Sequence, residues 1–135
     1  MASRRDPAPP EHRRLVLVVE DERGLRRFVR RVLENEGYEC LEAGSAEEAL
    51  VAVDRARRPV DLLILDIMLP DSWGTRLVED VRARSPSLGV VLTSGYADAD
   101  PVLGAGTQQR RPFLAKPFEA SELLAAVREA EDARR

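Results

Sequence analysis

Lysine is almost absent from this chain. Only one of its 21 basic residues is a lysine, Lys116, which lies in the stretch FLAKPF at residues 113–118. An ammonium is a compact charge on a flexible stem, whereas a guanidinium is a planar fork that needs more room. The lone lysine therefore indicates either a chance surface residue or a position where a guanidinium does not fit.

Cysteine and long apolar runs are also scarce. The single cysteine, Cys40, excludes a disulfide framework and a cysteine-rich metal centre, and we expect it to be a small buried side chain. The first apolar run, at residues 15–19, has only five residues, too few for a signal-peptide core or a membrane span. We therefore expect a cytoplasmic protein without a membrane partner.

Aromatic residues and net charge are low as well. Aromatics make up 4% of the chain, which predicts a core of Leu, Val and Ala, and the net charge of −3 argues against a nucleic-acid partner. The length of 135 residues fits one domain. Residues 1–13, which include His12, are rich in Pro and Arg and are predicted to be a disordered tail, so the domain would span 14–135.

Short apolar runs alternating with segments of helical periodicity dominate the rest of the chain. The runs predict five strands, at residues 15–19, 38–43, 60–66, 88–94 and 111–115. Helical periodicity follows the first, second, third and fifth strands, with Gly37 placed to end the first helix and a Ser45–Glu48 capping box at the start of the second. This order predicts an α/β fold, a doubly wound parallel sheet with helices on both faces.

One segment breaks the alternation. Residues 97–110 contain Pro101, Gly104 and Gly106 and few apolar side chains. Each glycine weakens a helix by roughly 1 kcal/mol relative to alanine, and little apolar burial is available to offset that cost. We therefore predict that the fourth helix is short or irregular.

Reactive side chains cluster after the predicted strands, where open α/β sheets form their sites. Three acids follow the first strand, one acid ends the third, two hydroxyls end the fourth, and an ammonium follows the fifth: Glu20, Asp21, Glu22, Asp66, Thr93, Ser94 and Lys116. Taken singly, Asp21 could be a helix cap, and Asp66 and Ser94 could be turn residues. Their joint occurrence at one edge of the sheet favours a functional site.

The chemistry of this set points to a cation and a phosphoryl group. Two carboxylates ~5 Å apart repel by roughly 3 kcal/mol at an effective dielectric near 20, and a few oxygen ligands suit Mg2+. Asp66 can serve as a ligand or as a nucleophile, and a carboxylate that attacks phosphorus forms an acyl phosphate. A phosphoryl group there would need a donor and a cation beside it, which the hydroxyl and Lys116 can supply.

Four motifs together resemble the receiver domains of two-component response regulators: VVEDE (18–22), LLILDIMLPDSWG (62–74), VLTSGY (91–96) and FLAKPF (113–118). The separations of 28 residues between Asp66 and Ser94 and 22 between Ser94 and Lys116 are also similar to that family. The likeness covers about residues 14–133 and implies a flavodoxin-like five-stranded sheet of order 2-1-3-4-5. The stretches SGY (94–96) and RRPFLAKPF (110–118) are also similar to those of receivers fused to hybrid histidine kinases.

The resemblance implies a role for each matching side chain. Asp66 would be the phosphoacceptor, and Lys116 would pair with the phosphoryl oxygens. Ser94, rather than Thr93, would be the switch hydroxyl that engages them. Phe113 would be the aromatic side chain that rotates inward in response, although a plain core position suits it equally well.

The resemblance also implies a magnesium site and a backbone geometry. Asp21 and Asp66 would bind Mg2+ directly, Glu20 would bind it through water, and the Met68 backbone carbonyl would complete the set. Glu20 stands where many receivers have Asp, which lengthens the side chain by one methylene. The peptide bond between residues 116 and 117 would be cis.

The leading hypothesis is a phosphoacceptor signalling switch with Mg2+ as its cofactor. It would take phosphoryl from a phosphohistidine of a sensor histidine kinase or a histidine phosphotransfer protein, and would pass the signal to a protein target that the sequence does not identify. It would catalyse its own phosphorylation and dephosphorylation and would not be a turnover enzyme. The basic face of the first helix is either the docking surface for that partner or a solvated charged face.

Two other functions compete with this hypothesis. The enzyme alternative is a Mg2+-dependent phosphohydrolase with Asp66 as nucleophile. Such enzymes usually carry a general acid two residues later, where this chain has Met68, which cannot move protons. The other alternative is an inert pseudo-receiver that acts only as an interaction module, against which the intact acids, Ser94 and Lys116 all speak.

Overall fold

The computed structural model describes residues 13–72, 74–95 and 112–133. The described chain forms five strands and four helices, and among the described residues a helix follows every strand except the fourth. The strands are β1 (Leu15–Val19), β2 (Glu39–Ala43), β3 (Leu62–Asp66), β4 (Gly89–Ser94) and β5 (Phe113–Ala115). The helices are α1 (Arg23–Asn35), α2 (Ala46–Arg55), α3 (Gly74–Arg84) and α4 (Ala120–Ala133).

Two predictions fall on other parts of the chain. The irregular helix predicted at residues 97–110 lies outside the described residues, as does nearly all of the predicted N-terminal tail. Among the described helices, none combines the length and the apolar character needed to cross a membrane.

The five strands form one parallel sheet in the order β2-β1-β3-β4-β5. The predicted fold class and strand order are therefore confirmed. β1, β3 and β4 are buried along their whole length, as expected of parallel strands that are covered on both faces. β2 lies at an edge and has two buried residues, Cys40 and Ala43, whereas its other three residues are exposed or half-buried. This arrangement brings the carboxyl ends of β1, β3, β4 and β5 to one edge of the sheet.

Two apolar cores lie on opposite faces of the sheet. Successive side chains of a strand point to opposite faces, and along β1 Leu17 joins the core under α2 and α3 whereas Val18 joins the core under α1 and α4. The helical periodicity of the sequence supplies the other half of each core, for example Leu77 of α3 and Leu33 of α1. Cys40 is buried in the core under α1 and α4, as predicted.

The helix ends largely follow their sequence signals. Gly37 adopts a left-handed backbone with φ of 94° directly after the end of α1, a conformation that glycine adopts without strain. At the start of α2 the Glu48 amide donates to Ser45 Oγ at 3.1 Å. In a capping box the glutamate carboxylate also accepts from the amide of the cap residue, here Ser45. This part of the prediction was wrong, because the Glu48 carboxylate accepts from the Gly44 amide instead, at 2.8 Å.

The loop after β3 is tied to the start of α2 by Asp71. Its two carboxylate oxygens accept from the amides of Ala46 at 2.9 Å and Glu47 at 3.0 Å. These amides lack partners within the helix, and the hydrogen bonds lower the pKa of Asp71. The loop that follows Asp66 is thereby anchored on its far side to α2.

Candidate functional site

The acids that follow β1 and end β3 meet at the carboxyl edge of the sheet. Oxygen atoms of Glu20, Asp21 and Asp66 all lie within 4.8 Å of one another. Glu20 and Asp66 are only 4% and 7% exposed, whereas Asp21 is exposed. The cluster therefore has a buried floor and one side open to solvent.

Lys116 reaches into this cluster from the end of β5. Its Nζ donates to Glu20 Oε1 and to Asp66 Oδ2, each at 2.6 Å. Its backbone amide donates to the Ser94 carbonyl at 2.8 Å, and the Lys116–Pro117 peptide bond is cis. The one ammonium of the chain thus bridges two acids that come from different strands.

Burial and the hydrogen bonds between Lys116 and the acids act in opposite directions on the pKa values of this site. Burial raises the pKa of Glu20, and hydrogen bonds from Lys116 and from the Glu22 amide only partly offset it. Burial alone would lower the pKa of Lys116, but the hydrogen bonds to Asp66 and Glu20 outweigh burial and the pKa lies above its usual value. Lys116 is therefore held as a cation between two carboxylates.

The donor set of the cluster fits a divalent metal ion. Three carboxylates face one ammonium, which leaves two formal negative charges when all the acids are ionised. Oxygen ligands and a solvent-facing side are what Mg2+ requires, since it keeps several of its waters when bound. Next to the cluster, the Met68 amide donates to Asp66 Oδ1 at 2.8 Å, so the turn after β3 folds back onto this carboxylate.

The predicted hydroxyl and aromatic residues lie on the two last strands of the sheet. Ser94 ends β4, is 1% exposed and pairs in register with the residue directly before Lys116. Thr93 is also buried and its hydroxyl lies 3.4 Å from the Leu65 carbonyl. Phe113 begins β5 and packs, half-buried, against the core under α2 and α3.

Sequence reasoning missed two features of the acidic loop. Glu22, and not Asp21, caps α1: its carboxylate oxygens accept from the Gly24 and Leu25 amides, both at 2.8 Å. Three consecutive acids gave no signal to tell which one would turn toward the helix. The direct contact between Glu20 and Lys116 was also missed, because the sequence places them 96 residues apart.

A family model described as the response regulator receiver domain matches residues 16–128, which is most of the chain. The chain belongs to this family. Receiver domains are signalling switches that partner with sensor histidine kinases, and the match confirms the predicted resemblance.

Individual relatives of this receiver domain come from several kinds of protein. It is 38% identical over 115 residues to the KDP operon transcriptional regulatory protein KdpE of Escherichia coli, covering 84% of this chain and 49% of that protein. It is 32% identical over 114 residues to sensor kinase CckA of Brucella abortus, covering 84% of this chain and 12% of that protein. The chain thus spans half or less of the length of these curated relatives.

The fold is shared with solved receiver structures. A CheY-like response regulator receiver domain protein from Methanospirillum hungatei superimposes with a TM-score of 0.75 at 29% identity, covering 90% of this chain and 96% of that one. The likeness therefore extends over almost the whole described fold of this receiver domain.

Proposed function

We propose that this receiver domain is a phosphoacceptor switch in which Asp66 takes a phosphoryl group from a phosphohistidine. The observation that carries the proposal is the position of Lys116, whose ammonium lies 2.6 Å from both Glu20 and Asp66. A nucleophilic carboxylate needs a neighbouring cation to stabilise the charge that a phosphoryl group brings. A purely structural ion pair would not require a second and a third acid beside it.

Asp66 performs the bond-forming step. One of its oxygens attacks phosphorus, the P–N bond of the phosphohistidine breaks, and the imidazole nitrogen leaves with the electron pair and takes up a proton. The two hydrogen bonds to Asp66, from the Met68 amide and from Lys116, fix the carboxylate for this attack. Orientation of this kind supplies much of the rate in phosphoryl transfer, where the protein does little covalent chemistry.

The metal ligands in this proposal are Asp21, Asp66, the Met68 carbonyl and, through water, Glu20. When bound, Mg2+ neutralises charge on the transferred phosphoryl oxygens. Glu20 and Asp21 hold the site from the β1 side, and the exposed position of Asp21 leaves the approach from solvent open.

After transfer, the new charge is read by Lys116 and Ser94. Lys116 exchanges a carboxylate partner for a phosphoryl oxygen, and the Ser94 hydroxyl donates to another. Movement of the Ser94 side of β4 is passed to Phe113, which begins the neighbouring strand β5 and is only half-buried. The inferred output is a change in the surface around Phe113, read by a downstream protein.

The inferred phosphodonor is a sensor histidine kinase or a histidine phosphotransfer protein in the cytoplasm, and no nucleic acid or membrane takes part. The phosphodonor would dock on the exposed side of α1 of this domain. Phe28 is 39% exposed there, and three exposed arginines surround it on the helix: Arg23, Arg27 and Arg31. An exposed aromatic ring among cations suits an apolar and acidic partner surface.

Phosphorylation by acetyl phosphate tests the proposed function. The wild type with Mg2+ should gain the mass of one phosphoryl group, and Asp66→Asn should gain none, since an amide is not nucleophilic. Asp61→Asn, which changes an acid at the opposite end of β3, serves as the matched control and should react normally. Equal labelling of wild type and Asp66→Asn, or labelling unchanged by a chelator, would contradict the assignment.

The phosphohydrolase alternative lacks a general acid at the position where such enzymes usually carry one. The residue two positions after Asp66 is Met68, which is 42% exposed and cannot donate a proton. Incubation with simple phosphate monoesters should therefore release no phosphate beyond a single turnover.

A further inference from the structure

The acid pair at the end of β1 is joined by one peptide unit, and Arg26 of α1 binds that unit. Arg26 Nη1 donates to the Glu20 carbonyl oxygen at 2.7 Å. This carbonyl belongs to the peptide between Glu20 and Asp21, and a peptide unit is planar and rigid. A hydrogen bond to its oxygen therefore restrains the directions in which both acid side chains leave the backbone.

The same guanidinium is fixed at its other edge. Arg26 Nε donates to Glu42 Oε1 of β2 at 2.9 Å, and Glu42 is held in turn by Arg30 at 2.6 Å. The Arg26 side chain is only 18% exposed. Gly44 leaves the space for it, because a Cβ at that position would lie 3.3 Å from Arg26 Nη1. The Arg26 guanidinium is thus held by hydrogen bonds at both edges and is not a solvated surface charge.

We infer that Arg26 is a positioning residue for the metal site: its fork joins the Glu20–Asp21 peptide to Glu42 and so holds both carboxylates toward Asp66. This inference rests on the proposed magnesium site. Arginine suits the task because its nitrogens donate in one fixed plane, which a lysine cannot reproduce. Among the arginines of α1 the positioning role falls to Arg26, which Arg30 supports through its hydrogen bond to Glu42.

If Arg26 positions the acids, its neutralisation should weaken divalent-ion binding; if it acts only through its charge, its neutralisation should strengthen that binding. Arg26 is a cation near a cation site, so if charge alone mattered, its neutralisation would strengthen divalent binding. If Arg26 positions the acids, its loss weakens binding despite the removal of a positive charge. Removal of groups that orient metal ligands typically costs 10–100-fold in affinity, and we expect about tenfold here.

The experiment compares Arg26→Lys and Arg26→Gln with Arg55→Gln in the full chain. Arg55 is an exposed arginine in the last turn of α2, so its loss should change affinity by less than about twofold in physiological salt. Mn2+ binding is measured by the electron paramagnetic resonance of the unbound ion, and Mg2+ binding by calorimetry. We expect both Arg26 variants to bind each ion about tenfold more weakly than the wild type.

Phosphorylation kinetics provide a second readout. With acetyl phosphate, the Mg2+ concentration for half-maximal labelling of Arg26→Lys should rise about tenfold, while the rate at saturating Mg2+ stays within about twofold of the wild type. Thermal unfolding without metal shows whether the variants fold.

Each outcome decides one question. Wild-type affinity in a folded Arg26→Lys variant, or tighter binding by Arg26→Gln, would overturn the positioning role while leaving the proposed function standing. A wild type that binds neither ion would overturn the magnesium site itself, and with it this inference.

Discussion

At the scale of single residues, the structure gives a physical reason for the lone lysine. One nitrogen of Lys116 contacts two carboxylates at 2.6 Å, and its side chain is only 19% exposed. A guanidinium would engage the same acids through separate nitrogens and would spread them apart. The single lysine of the chain thus lies at a position where a compact cation fits between two carboxylates and a guanidinium does not.

Lys116→Arg should separate phosphorylation from signal transmission. The variant keeps the positive charge, so we expect it to fold and to accept phosphoryl from acetyl phosphate. The altered fit should reduce the response of Phe113, measured as the change in its ring resonances in NMR spectra on phosphorylation. A Phe113 response equal to that of the wild type would contradict the proposed coupling, and thermal unfolding of both proteins controls for a general loss of structure.

The sequence predicted which side chains meet at the carboxyl edge of the sheet but did not predict the hydrogen bonds between them. Strand ends converge in any parallel sheet, so Glu20, Asp21, Asp66 and Lys116 could be brought together from the order of elements alone. The choice of Glu22 as the cap of α1, and the contact of Lys116 with Glu20, depend on side-chain conformations within one loop. Such choices rest on small energy differences between rotamers that no spacing pattern records.

At the scale of elements, α3 sits unusually close to the end of β3. A Cβ on Gly74, the first residue of α3, would clash with Leu65 Cδ1 and would lie 2.9 Å from the Asp66 carbonyl oxygen and from Ile67 Cα. Two of these atoms belong to the backbone and cannot move aside independently. Glycine at this position lets the helix pack directly against the strand that ends in Asp66, the proposed phosphoacceptor.

Gly74→Ala should therefore destabilise the domain and disturb Asp66. Overpacking of a buried position costs about 1–3 kcal/mol. Here the displaced atoms flank Asp66, the proposed nucleophile, so phosphorylation by acetyl phosphate should slow as well. Gly95→Ala is the control for stability, since among the residues that the structure describes a Cβ there meets nothing within 4 Å. Chemical denaturation measures the free energy of unfolding, and equal values for Gly74→Ala and the wild type would refute the packing argument.

Links between elements were the least predictable part of the fold. The apolar periods located all five strands and the four described helices, because each period reports a buried face. The hydrogen bond that Asp71 accepts from the Ala46 amide joins residues 25 positions apart, and the one that Arg26 donates to Glu42 joins residues 16 positions apart. Neither contact has a sequence signature, since an acid after a strand or an arginine on a helix has many possible partners.

At the scale of the whole molecule, the proposed metal site would couple ion binding at the acidic cluster to the stability of the fold. A ligand that binds only the folded state stabilises it by about 2.7 kcal/mol at 100 times its Kd. Saturating Mg2+ should thus raise the melting temperature of the wild type by roughly 10 °C, given about 4 °C per kcal/mol for a domain of this size. Asp21→Asn should lose most of this gain, and the same gain in both proteins would place the ion elsewhere.

The distance along the chain between Lys116 and its partners has a consequence for protein synthesis. Glu20 and Asp66 leave the ribosome 96 and 50 residues before the lysine that pairs with them. Until β5 is made, the growing chain can assemble β1 and β3 only by bringing three carboxylates together without the ammonium of Lys116. We expect the nascent sheet to remain open at this edge, and the translation of β5 to be the event that closes it.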